Sequence, residues 1–359
     1  MTIACKFGGT SLADAAQFRK VADIIKADAN RHAVVVSAPG KRHKQDPKVT
    51  DILLSIHEMI SRDMDPGPSL ALLRGRYLEI ERELGVDAGM AGRLDEFVKA
   101  VRAGADRDFI ASRGEHFSAL LMAAYLGGTF VEAEGAVFLT GNGLIDERTW
   151  KELPPRLPGQ GFFVLPGFYG TGPHGKVKTF SRGGSDISGA ILARAAGASL
   201  YENWTDVSGL LMTDPRVVPD AAPMERVTYR ELRELAYSGA NVFHEEAILP
   251  CKQVGIPIRI ANTNEPLAAG TLIVPESQAA DRPIAGVAGR SFTRDYWKRI
   301  LPRLNPRMVV PTHYDNFFRP LGQELEFVTA AELARLPEEI GAVSGEIELA
   351  ALPRADLSQ

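Results

Sequence analysis

The chain has 359 residues, of which 45% are hydrophobic and 24% charged, a composition typical of soluble globular proteins and long enough for two or three domains. The net charge of −4 argues against a general nucleic-acid-binding surface, and no apolar run approaches the roughly 20 residues that a membrane-spanning helix needs. The only two cysteines, Cys5 and Cys251, provide neither a disulfide framework nor a zinc-ligand set and are expected to be buried. Together with the absence of a visible signal peptide, these features predict a cytoplasmic protein with neither nucleic-acid nor membrane partners.

The first 40 residues predict a strand, a glycine turn, a helix and a second strand. Residues 2–7 read as a strand, the glycines of KFGGTS interrupt it, and Ser11 begins a helix through the S-x-x-[DE] capping pattern with Asp14. AVVVSAPG, residues 33–40, is apolar on both faces, as buried parallel strands are. The order of these elements predicts a βαβ unit and therefore an α/β fold.

The middle of the chain predicts a helical region and then a return to alternating strands and helices. KRHKQDPK (41–48) is a polar loop with five basic side chains, and residues 50–62 and 67–126 are mainly helical. A strand in GFFVLPGF (161–168), a helix over 186–196 and strands in SLYENWTD and IPIRIAN follow. GTGPHGK matches the start of a P-loop, but Val177 lacks the hydroxyl that would hold magnesium, so we predict a hairpin turn there.

Two glycine-rich turns at predicted helix starts carry charged side chains. Because glycine has no side chain, backbone N–H groups can approach an anion closely, and a helix N-terminus adds partial positive charge. KFGGTS adds Lys6, and FSRGGSDISGA adds Arg182, which suits bidentate recognition of a carboxylate. Asp186 either orients Lys6 or Ser185, or simply starts its helix. Taken alone KFGGTS is a weak signal, because Gly-Gly after a strand is common in ordinary turns, and the second glycine-rich turn strengthens it.

A third segment, TDVSGLLMTDPR, places polar groups at both ends of a short loop. Thr205 and Asp206 end a predicted strand, and Asp214 and Arg216 follow a glycine turn. Such groups could bind a nucleotide base and ribose. The same segment is also typical of two tight turns, in which Asp and Pro are ordinary turn residues.

Residues 1 to about 290 resemble aspartate kinases of the amino acid kinase family. KFGGTS, VVVSAPGK, SRGGSD, TDVSGLLMTDPR and IPIRIANTNEP…GTLIV occur in the family's order. The resemblance implies an α/β fold, a three-layer αβα sandwich with a mostly parallel eight-stranded sheet, with the catalytic domain over residues 1–276. It also implies transfer of the ATP γ-phosphate, with Mg²⁺ carried on the nucleotide, to the side-chain carboxylate of L-aspartate. The product would be 4-phospho-L-aspartate, the first step towards lysine, threonine and methionine.

The resemblance also implies three groups of site residues. The catalytic residues would be Lys6, Arg182 and Asp186. The ATP-binding residues would be Lys6, Gly8, Gly9, Ser11, Thr205, Asp206, Asp214 and Arg216. The aspartate-binding residues would be Ser37, Thr50, Glu115, Arg182 and Ser185, with Glu115 binding the amino group. A carboxylate acceptor is already ionised at neutral pH, so the chemistry needs no general base.

The sequence departs from the family in two places. GANVFHE has Asn241 where many members have a lysine near the nucleotide. After a predicted linker over 277–290, residues 291–359 form a short α/β tail, with predicted helices near 294–304 and 329–340 and a strand over 307–312, instead of two regulatory domains. We therefore expect no feedback by lysine or threonine; a homodimer is compatible with the resemblance.

The tail resembles the C-terminal end of metallo-β-lactamase-fold hydrolases, in which a histidine like His313 helps bind metal. The partner motif H-x-H-x-D-H is absent from the chain, so a dimetal hydrolase is excluded and no metal site is predicted. Two other readings stay open. The first is a kinase of another acceptor, such as glutamate or a carbamate, which Thr50, Glu115 and Arg182 disfavour. The second is a non-catalytic regulatory or assembly protein.

Overall fold

The computed structural model describes residues 1–180, 183–212, 221–237, 245–278, 308–309 and 348–349. The chain divides into two compact units. The first comprises Met1–Ser208 and Glu246–Ala269, and the second comprises Gly209–Glu245 and Gly270–Gln359.

The described secondary structure mixes strands and helices, with four consecutive helices after the second strand. The described strands are β1 Ile3–Phe7, β2 Ala33–Val36, β3 Thr129–Phe130, β4 Phe163–Pro166, β5 Tyr169–Thr171, β6 Val177–Thr179, β7 Leu200–Thr205, β8 Arg226–Thr228, β9 Ile258–Asn262, β10 Thr271–Val274, β11 Met308–Val309 and β12 Glu348–Leu349. The described helices are α1 Ala15–Lys26, α2 Val49–Ser61, α3 Gly67–Leu84, α4 Met90–Arg102, α5 Arg107–Leu126, α6 Thr149–Glu152, α7 Gly184–Ala195, α8 Tyr229–Tyr237 and α9 Glu245–Val254.

The main sheet is mostly parallel and has eight strands, as predicted. In the first unit the strand order is β3-β4-β2-β1-β7-β9, and each neighbouring pair is parallel. In the second unit β10 and β8 pair in parallel with each other. The central strand β1 therefore has β2 on one side and β7 on the other, so that Lys6 is in register with both Val35 and Asn203.

Two further strand pairs lie outside this sheet. β5 and β6 form an antiparallel hairpin around residues 173–175, which confirms the predicted hairpin turn and excludes a P-loop there. In the second unit β11 and β12 pair in parallel, and β11 falls within the strand predicted over 307–312. The predicted tail helices, His313 and most of the predicted linker lie outside the described residues.

Helices cover both faces of the first unit's sheet. Successive side chains of a strand point to opposite faces. Cys5 and Phe7 therefore point into the hydrophobic core that α1 to α5 cover, whereas Lys6 points to the other face, where it meets α7. Burial on both faces explains why β2 is continuously apolar in sequence and β1 is apolar except at Lys6, and the helices on the two faces give the three predicted layers.

The helix after KFGGTS begins later than the capping pattern predicts. Residues Gly9–Leu12 form a 3-10 turn, and α1 starts at Ala15 with Asp14 as its N-cap, whose carboxylate accepts the N–H of Gln17 at 2.9 Å. Ser11 does not cap α1, because its hydroxyl bonds that of Thr263 at 2.7 Å. The capping prediction was therefore wrong by one turn, since a tertiary partner takes the hydroxyl that the local pattern assigned to the helix.

Both cysteines are buried and free, as expected for small apolar side chains. Among the described residues, no helix is long and apolar enough to cross a membrane. In that same part of the chain, no cluster of three or more His, Cys, Asp or Glu side chains is arranged to hold a metal ion.

Candidate active site at the carboxyl edge of the sheet

The carboxyl ends of parallel strands meet at one edge of a sheet, which is where α/β proteins bind ligands. In the first unit this edge runs from β4 through β2, β1 and β7 to β9. The residues that follow those strands are small or polar: Gly167, Ser37, Gly8, Asp206 and Thr263. The predicted site residues that the structure describes all belong to this unit.

Lys6 is buried and forms an ion pair with the half-buried Asp186. Its Nζ atom lies 2.7 Å from Oδ1 of Asp186, and the lysine is only 7% exposed. The same Oδ1 accepts a hydrogen bond of 2.8 Å from the side-chain amide of Asn203, which is fully buried on β7. Gly183, in the left-handed conformation with φ 58°, starts α7 and brings Asp186 to this edge. The glycine turn of SRGGSD thus delivers a carboxylate to the lysine of KFGGTS.

The turn after β1 packs against the turn after β2 by direct backbone contact. We call these the 8–12 turn and the 37–40 turn. The N–H of Gly40 donates to the carbonyl of Gly9 at 2.7 Å, and a Cβ on Gly9 would come within 2.8 Å of the Ala38 carbonyl oxygen. A Cβ on Gly40 would come within 2.7 Å of the Gly9 carbonyl carbon. Glycine is required at both positions because backbone occupies the space of each side chain.

Glu115 is a buried carboxyl group on α5, 5% exposed, facing the 37–40 turn. α5 approaches that turn closely at Gly114, where a Cβ would come within 2.7 Å of the Ala38 side chain. Burial raises the pKa of Glu115 to about 8, and the Ala38 backbone hydrogen bond and the charge of Lys6 offset this only in part. Its Oε2 atom has no hydrogen-bond partner among the described residues. A buried carboxyl oxygen without a partner is costly and is expected to acquire one from a ligand.

Three hydroxyl side chains that the sequence analysis predicts to bind aspartate lie near the ends of β2 and β4. Ser37 is buried, and its N–H donates to the Phe7 carbonyl at 3.1 Å. Thr50 is half-buried in the first turn of α2, which begins beside the 37–40 turn. Ser185, at the start of α7, lies against Gly167, where an added Cβ would come within 2.8 Å of the serine Oγ. The ends of β2 and β4 and the start of α7 therefore bring these hydroxyls to one edge.

The other part of the edge lies beyond β1, around β7 and β9. The Gly8 N–H donates to the Trp204 carbonyl at 3.1 Å, which ties the 8–12 turn to β7. Thr205 donates from its hydroxyl to Asp206 at 3.1 Å, and Asp206 is exposed. Ser11, by contrast, is only 3% exposed and is bonded to Thr263, so its hydroxyl serves the packing of this turn.

Arg182, Asp214, Arg216 and Asn241 lie outside the described residues. Two residues that shape the site were missed in the sequence analysis. Asn203 donates a hydrogen bond to the Asp186 carboxylate, and the N–H of Gly40 donates to the Gly9 carbonyl. Asn203 could be found only from the strand register, because it is 197 positions from the lysine it faces. Gly40 had a local signal, the Pro-Gly pair that ends the second strand.

A parallel sheet covered on both faces, with glycine turns and a buried lysine at its carboxyl edge, is typical of α/β enzymes that bind anionic ligands. The model of the amino acid kinase family matches residues 1–262. The chain belongs to the amino acid kinase family.

Several aspartate kinases are similar to this chain. Aspartokinase 3 of Bacillus subtilis is 38% identical over 299 residues, which cover 79% of this chain and 66% of the relative. Aspartokinase 1 of Arabidopsis thaliana is 30% identical and covers 76% of this chain and 52% of the relative. The chain thus spans between about half and two-thirds of the length of these relatives.

Solved aspartate kinases share the fold. The enzyme of Clostridium acetobutylicum superposes with a TM-score of 0.77 at 37% identity, covering 95% of this chain and 82% of that chain. Aspartokinase III of Escherichia coli, solved with aspartate and ADP, superposes with a TM-score of 0.68 at 28% identity, covering 80% of this chain and 67% of that chain.

Proposed function

We propose that this chain is an aspartate kinase, which transfers the γ-phosphate of ATP to the side-chain carboxylate of L-aspartate. The observation that carries the proposal is the pairing of Lys6 with Asp186 at the same sheet edge as the unpartnered buried Oε2 of Glu115. A phosphoryl group and an α-amino acid are the ligands that these two features would complete. Similarity to aspartate kinases, one solved with aspartate and ADP, supports the same assignment.

The nucleotide would bind at the β1 and β7 side of the edge. Backbone groups of Gly8 and Gly9 would face the phosphates, and Lys6 would neutralise charge on the transferring group. Thr205 and Asp206 would contact the base or ribose. Asp214 and Arg216 would complete that pocket. ATP would arrive as its magnesium complex, with the ion held mainly by phosphate oxygens.

The amino acid would bind at the β2 and β4 side. Its ammonium group would bond Oε2 of Glu115, which thereby gains the partner it lacks. The hydroxyls of Ser37, Thr50 and Ser185 would donate hydrogen bonds to its carboxylates. Arg182 would clamp one carboxylate with two parallel N–H bonds.

In the transfer step, a side-chain carboxylate oxygen of aspartate attacks the γ-phosphorus while the bond to the β–γ bridging oxygen breaks, releasing ADP. Charge accumulates on the γ-phosphoryl oxygens, and Lys6 would stabilise it from a position set by Asp186. The products are ADP and 4-phospho-L-aspartate. No proton moves, because the attacking group is already an anion.

Trapping the acyl phosphate with hydroxylamine tests the proposal. Purified full-length protein with MgATP and L-aspartate should yield aspartyl hydroxamate, whereas glutamate should yield at least tenfold less. No hydroxamate at any aspartate concentration, from protein that is folded by circular dichroism, would refute the kinase proposal. Equal rates with glutamate would refute the specificity.

The finer parts of the assignment are also proposals. We infer a catalytic domain over residues 1–276, a linker over 277–290 and a tail over 291–359, in a cytoplasmic enzyme that starts the route to lysine, threonine and methionine. Homodimer formation belongs to the same set of proposals. The tail stands where relatives carry regulatory domains, so lysine and threonine should leave the hydroxamate rate unchanged; clear inhibition by either would contradict this.

Asn203 is expected to position Asp186 for this reaction. Asn203→Leu removes the amide that bonds Oδ1 of Asp186 and keeps side-chain volume, so the kcat should fall about tenfold while the KM for MgATP changes by less than about threefold. Asn30→Leu is a matched control, because Asn30 also donates to an aspartate, Asp28, at 2.8 Å, but at the opposite end of β1. An unchanged kcat in folded Asn203→Leu would show that the ion pair with Lys6 is sufficient to position Asp186, and would contradict this role of Asn203.

A further inference from the structure

Arg76 is a buried arginine on α3 whose side chain reaches two turns of the site. The residue is 4% exposed, and its Nε has no hydrogen-bond partner in the part of the chain that the structure describes. Burying a charged group with one donor unpaired costs stability, and well-packed apolar residues often replace such groups without loss. A fold that keeps a guanidinium here gains something other than stability from its geometry.

The two terminal nitrogens of Arg76 bond three separate segments. Nη2 donates to the carbonyl of Ala13 at 2.9 Å, directly after the 8–12 turn, and to the carbonyl of Gly40 at 2.6 Å, the last residue of the 37–40 turn. Nη1 lies 2.6 Å from Oδ2 of Asp46 in the polar loop 41–48. One planar group therefore joins both turns to the loop that follows them.

Asp46 anchors this guanidinium. Its carboxylate also accepts the backbone N–H of Arg42 at 2.9 Å and two side-chain N–H groups of Arg42 at 3.0 and 3.1 Å. Hydrogen bonds from Arg42 and the charge of Arg76 hold the pKa of Asp46 well below its usual range, although burial opposes this. The carboxylate is therefore ionised at neutral pH and keeps its negative charge beside the guanidinium.

The two turns that Arg76 joins would bind different substrates. Under the proposed function, the 8–12 turn faces the phosphates of ATP, whereas the 37–40 turn presents Ser37 to the amino acid and Ala38 to Glu115. The N–H of Gly40 bonds the carbonyl of Gly9 and so joins the two turns directly, and the guanidinium of Arg76 bridges the Gly40 carbonyl to Ala13, the residue that follows the 8–12 turn. Misplacing two reactants by about 1 Å can lower a rate 100-fold.

We propose that Arg76 is a positioning residue that fixes the 8–12 turn relative to the 37–40 turn, and so sets the distance between the γ-phosphate and the acceptor carboxylate. The proposal rests on the proposed function for its catalytic consequence. The structural part of the proposal, that one guanidinium holds the two turns together, does not depend on the catalytic activity. It also gives the loop 41–48 a role, because Asp46 and Arg42 orient the guanidinium.

Arg76→Lys tests the proposal. Lysine keeps a positive charge beside Asp46, but its single nitrogen cannot occupy both positions that Nη1 and Nη2 now hold. We expect the kcat to fall about 10- to 100-fold, while the KM values for MgATP and aspartate stay within about threefold, because each turn still binds its own substrate. The amides of the 37–40 turn should exchange with deuterium at least about tenfold faster, without a matching change in α5.

Arg74→Lys on the same helix is the matched control. Arg74 also forms an ion pair of 2.6 Å, with Asp95, but its side chain is 37% exposed and its hydrogen bond goes to α4 rather than to either turn. Its kcat and exchange rates should equal those of the wild type. Arg76→Met keeps a long side chain but removes both the charge and the hydrogen bonds of the guanidinium. If the loss of those bonds, rather than a poor fit of the lysine side chain, lowers the kcat of Arg76→Lys, folded Arg76→Met should show a similar kcat and similar exchange rates.

Two results would overturn the proposal. One is a normal kcat for Arg76→Lys despite faster exchange of the 37–40 turn; the other is unchanged exchange in that turn. A rise in the KM of one substrate at constant kcat would assign Arg76 to binding rather than alignment and would also overturn it. Wild-type protein without hydroxamate activity would refute the proposed function instead, and the exchange measurement would still decide whether Arg76 holds the turns.

Discussion

Lys6→Ala is expected to lower the rate of hydroxamate formation by about 1,000-fold or more, close to the background of the assay. Phosphoryl transfer relies on charge stabilisation around the transferring group, and Lys6 is the only described cation paired with the aspartate at this edge. The loss should appear in kcat rather than in the KM for aspartate, because the amino acid would bind on the far side of the 37–40 turn. Steady-state kinetics at saturating MgATP measures it.

A second variant at this position distinguishes loss of the lysine charge from unfolding of the protein. Lys6→Met keeps the packed length of the side chain and removes only its charge; Asp186 then keeps Asn203 as a partner and, at 28% side-chain exposure, some access to water. Lys26→Met on the exposed surface of α1 is the matched control and should retain full activity. Activity of folded Lys6→Met within tenfold of the wild type would contradict the role proposed for the lysine.

Glu115→Gln is expected to weaken aspartate binding by at least about 100-fold, because a charge-assisted bond in a desolvated site is lost. The KM for MgATP should stay unchanged. Succinate, which has the two carboxylates but no ammonium group, provides the sharpest comparison. If Glu115 binds the ammonium group, succinate should be a poor acceptor for the wild type, and the variant should use it no less well. A variant that binds aspartate normally would refute this role.

The pH dependence of substrate binding should expose the same carboxyl group. Burial raises the pKa of Glu115 to about 8, so near neutral pH most free enzyme carries it protonated. An ammonium group requires the carboxylate, and binding therefore releases a proton. The KM for aspartate should rise by up to about tenfold for each pH unit below 8, and the slope should vanish in Glu115→Gln. Calorimetry in buffers of different ionisation enthalpy would count the proton directly.

Glu115 should also make the free protein less stable as the pH rises. Its pKa is about 8 in the folded chain and near its ordinary value of 4.5 in the unfolded chain, so the folded state binds more protons between these two values. The free energy of unfolding of the wild type should therefore fall relative to Glu115→Gln as the pH increases through that window. The difference should approach about 5 kcal/mol near pH 8, since each unit of the pKa difference contributes about 1.4 kcal/mol, and should change little above that pH.

Urea denaturation at several pH values measures this difference. Glu96→Gln makes the same replacement at an exposed position of α4 and should shift stability by less than about 0.5 kcal/mol at every pH. The variant that loses substrate binding should thus be the more stable protein, a trade-off common at binding sites. A pH-independent difference between Glu115→Gln and the wild type would show that the group is already ionised in the free protein.

Local sequence patterns were sufficient to predict most of the elements. The continuous apolar run at β2 predicted a buried parallel strand, and the missing hydroxyl at Val177 correctly separated the hairpin of β5 and β6 from a P-loop. These predictions succeeded because the periodicity of hydrophobic residues, which indicates the type of element and its buried face, can be read from a few neighbouring residues. The start of α1 was missed for the converse reason: Ser11 has a capping pattern in sequence, but Thr263 bonds its hydroxyl.

By itself the sequence determined which chemistry-bearing groups the site could use, including Lys6, Asp186 and Glu115, because their motifs occur in an order specific to one family. Only the tertiary structure decided which of them meet. Strand register placed Asn203 beside Asp186, backbone contact required glycine at both Gly9 and Gly40, and a helix from elsewhere in the chain supplied Arg76. Register, close approach and buried pairing depend on residues far apart in sequence, and no local pattern encodes them.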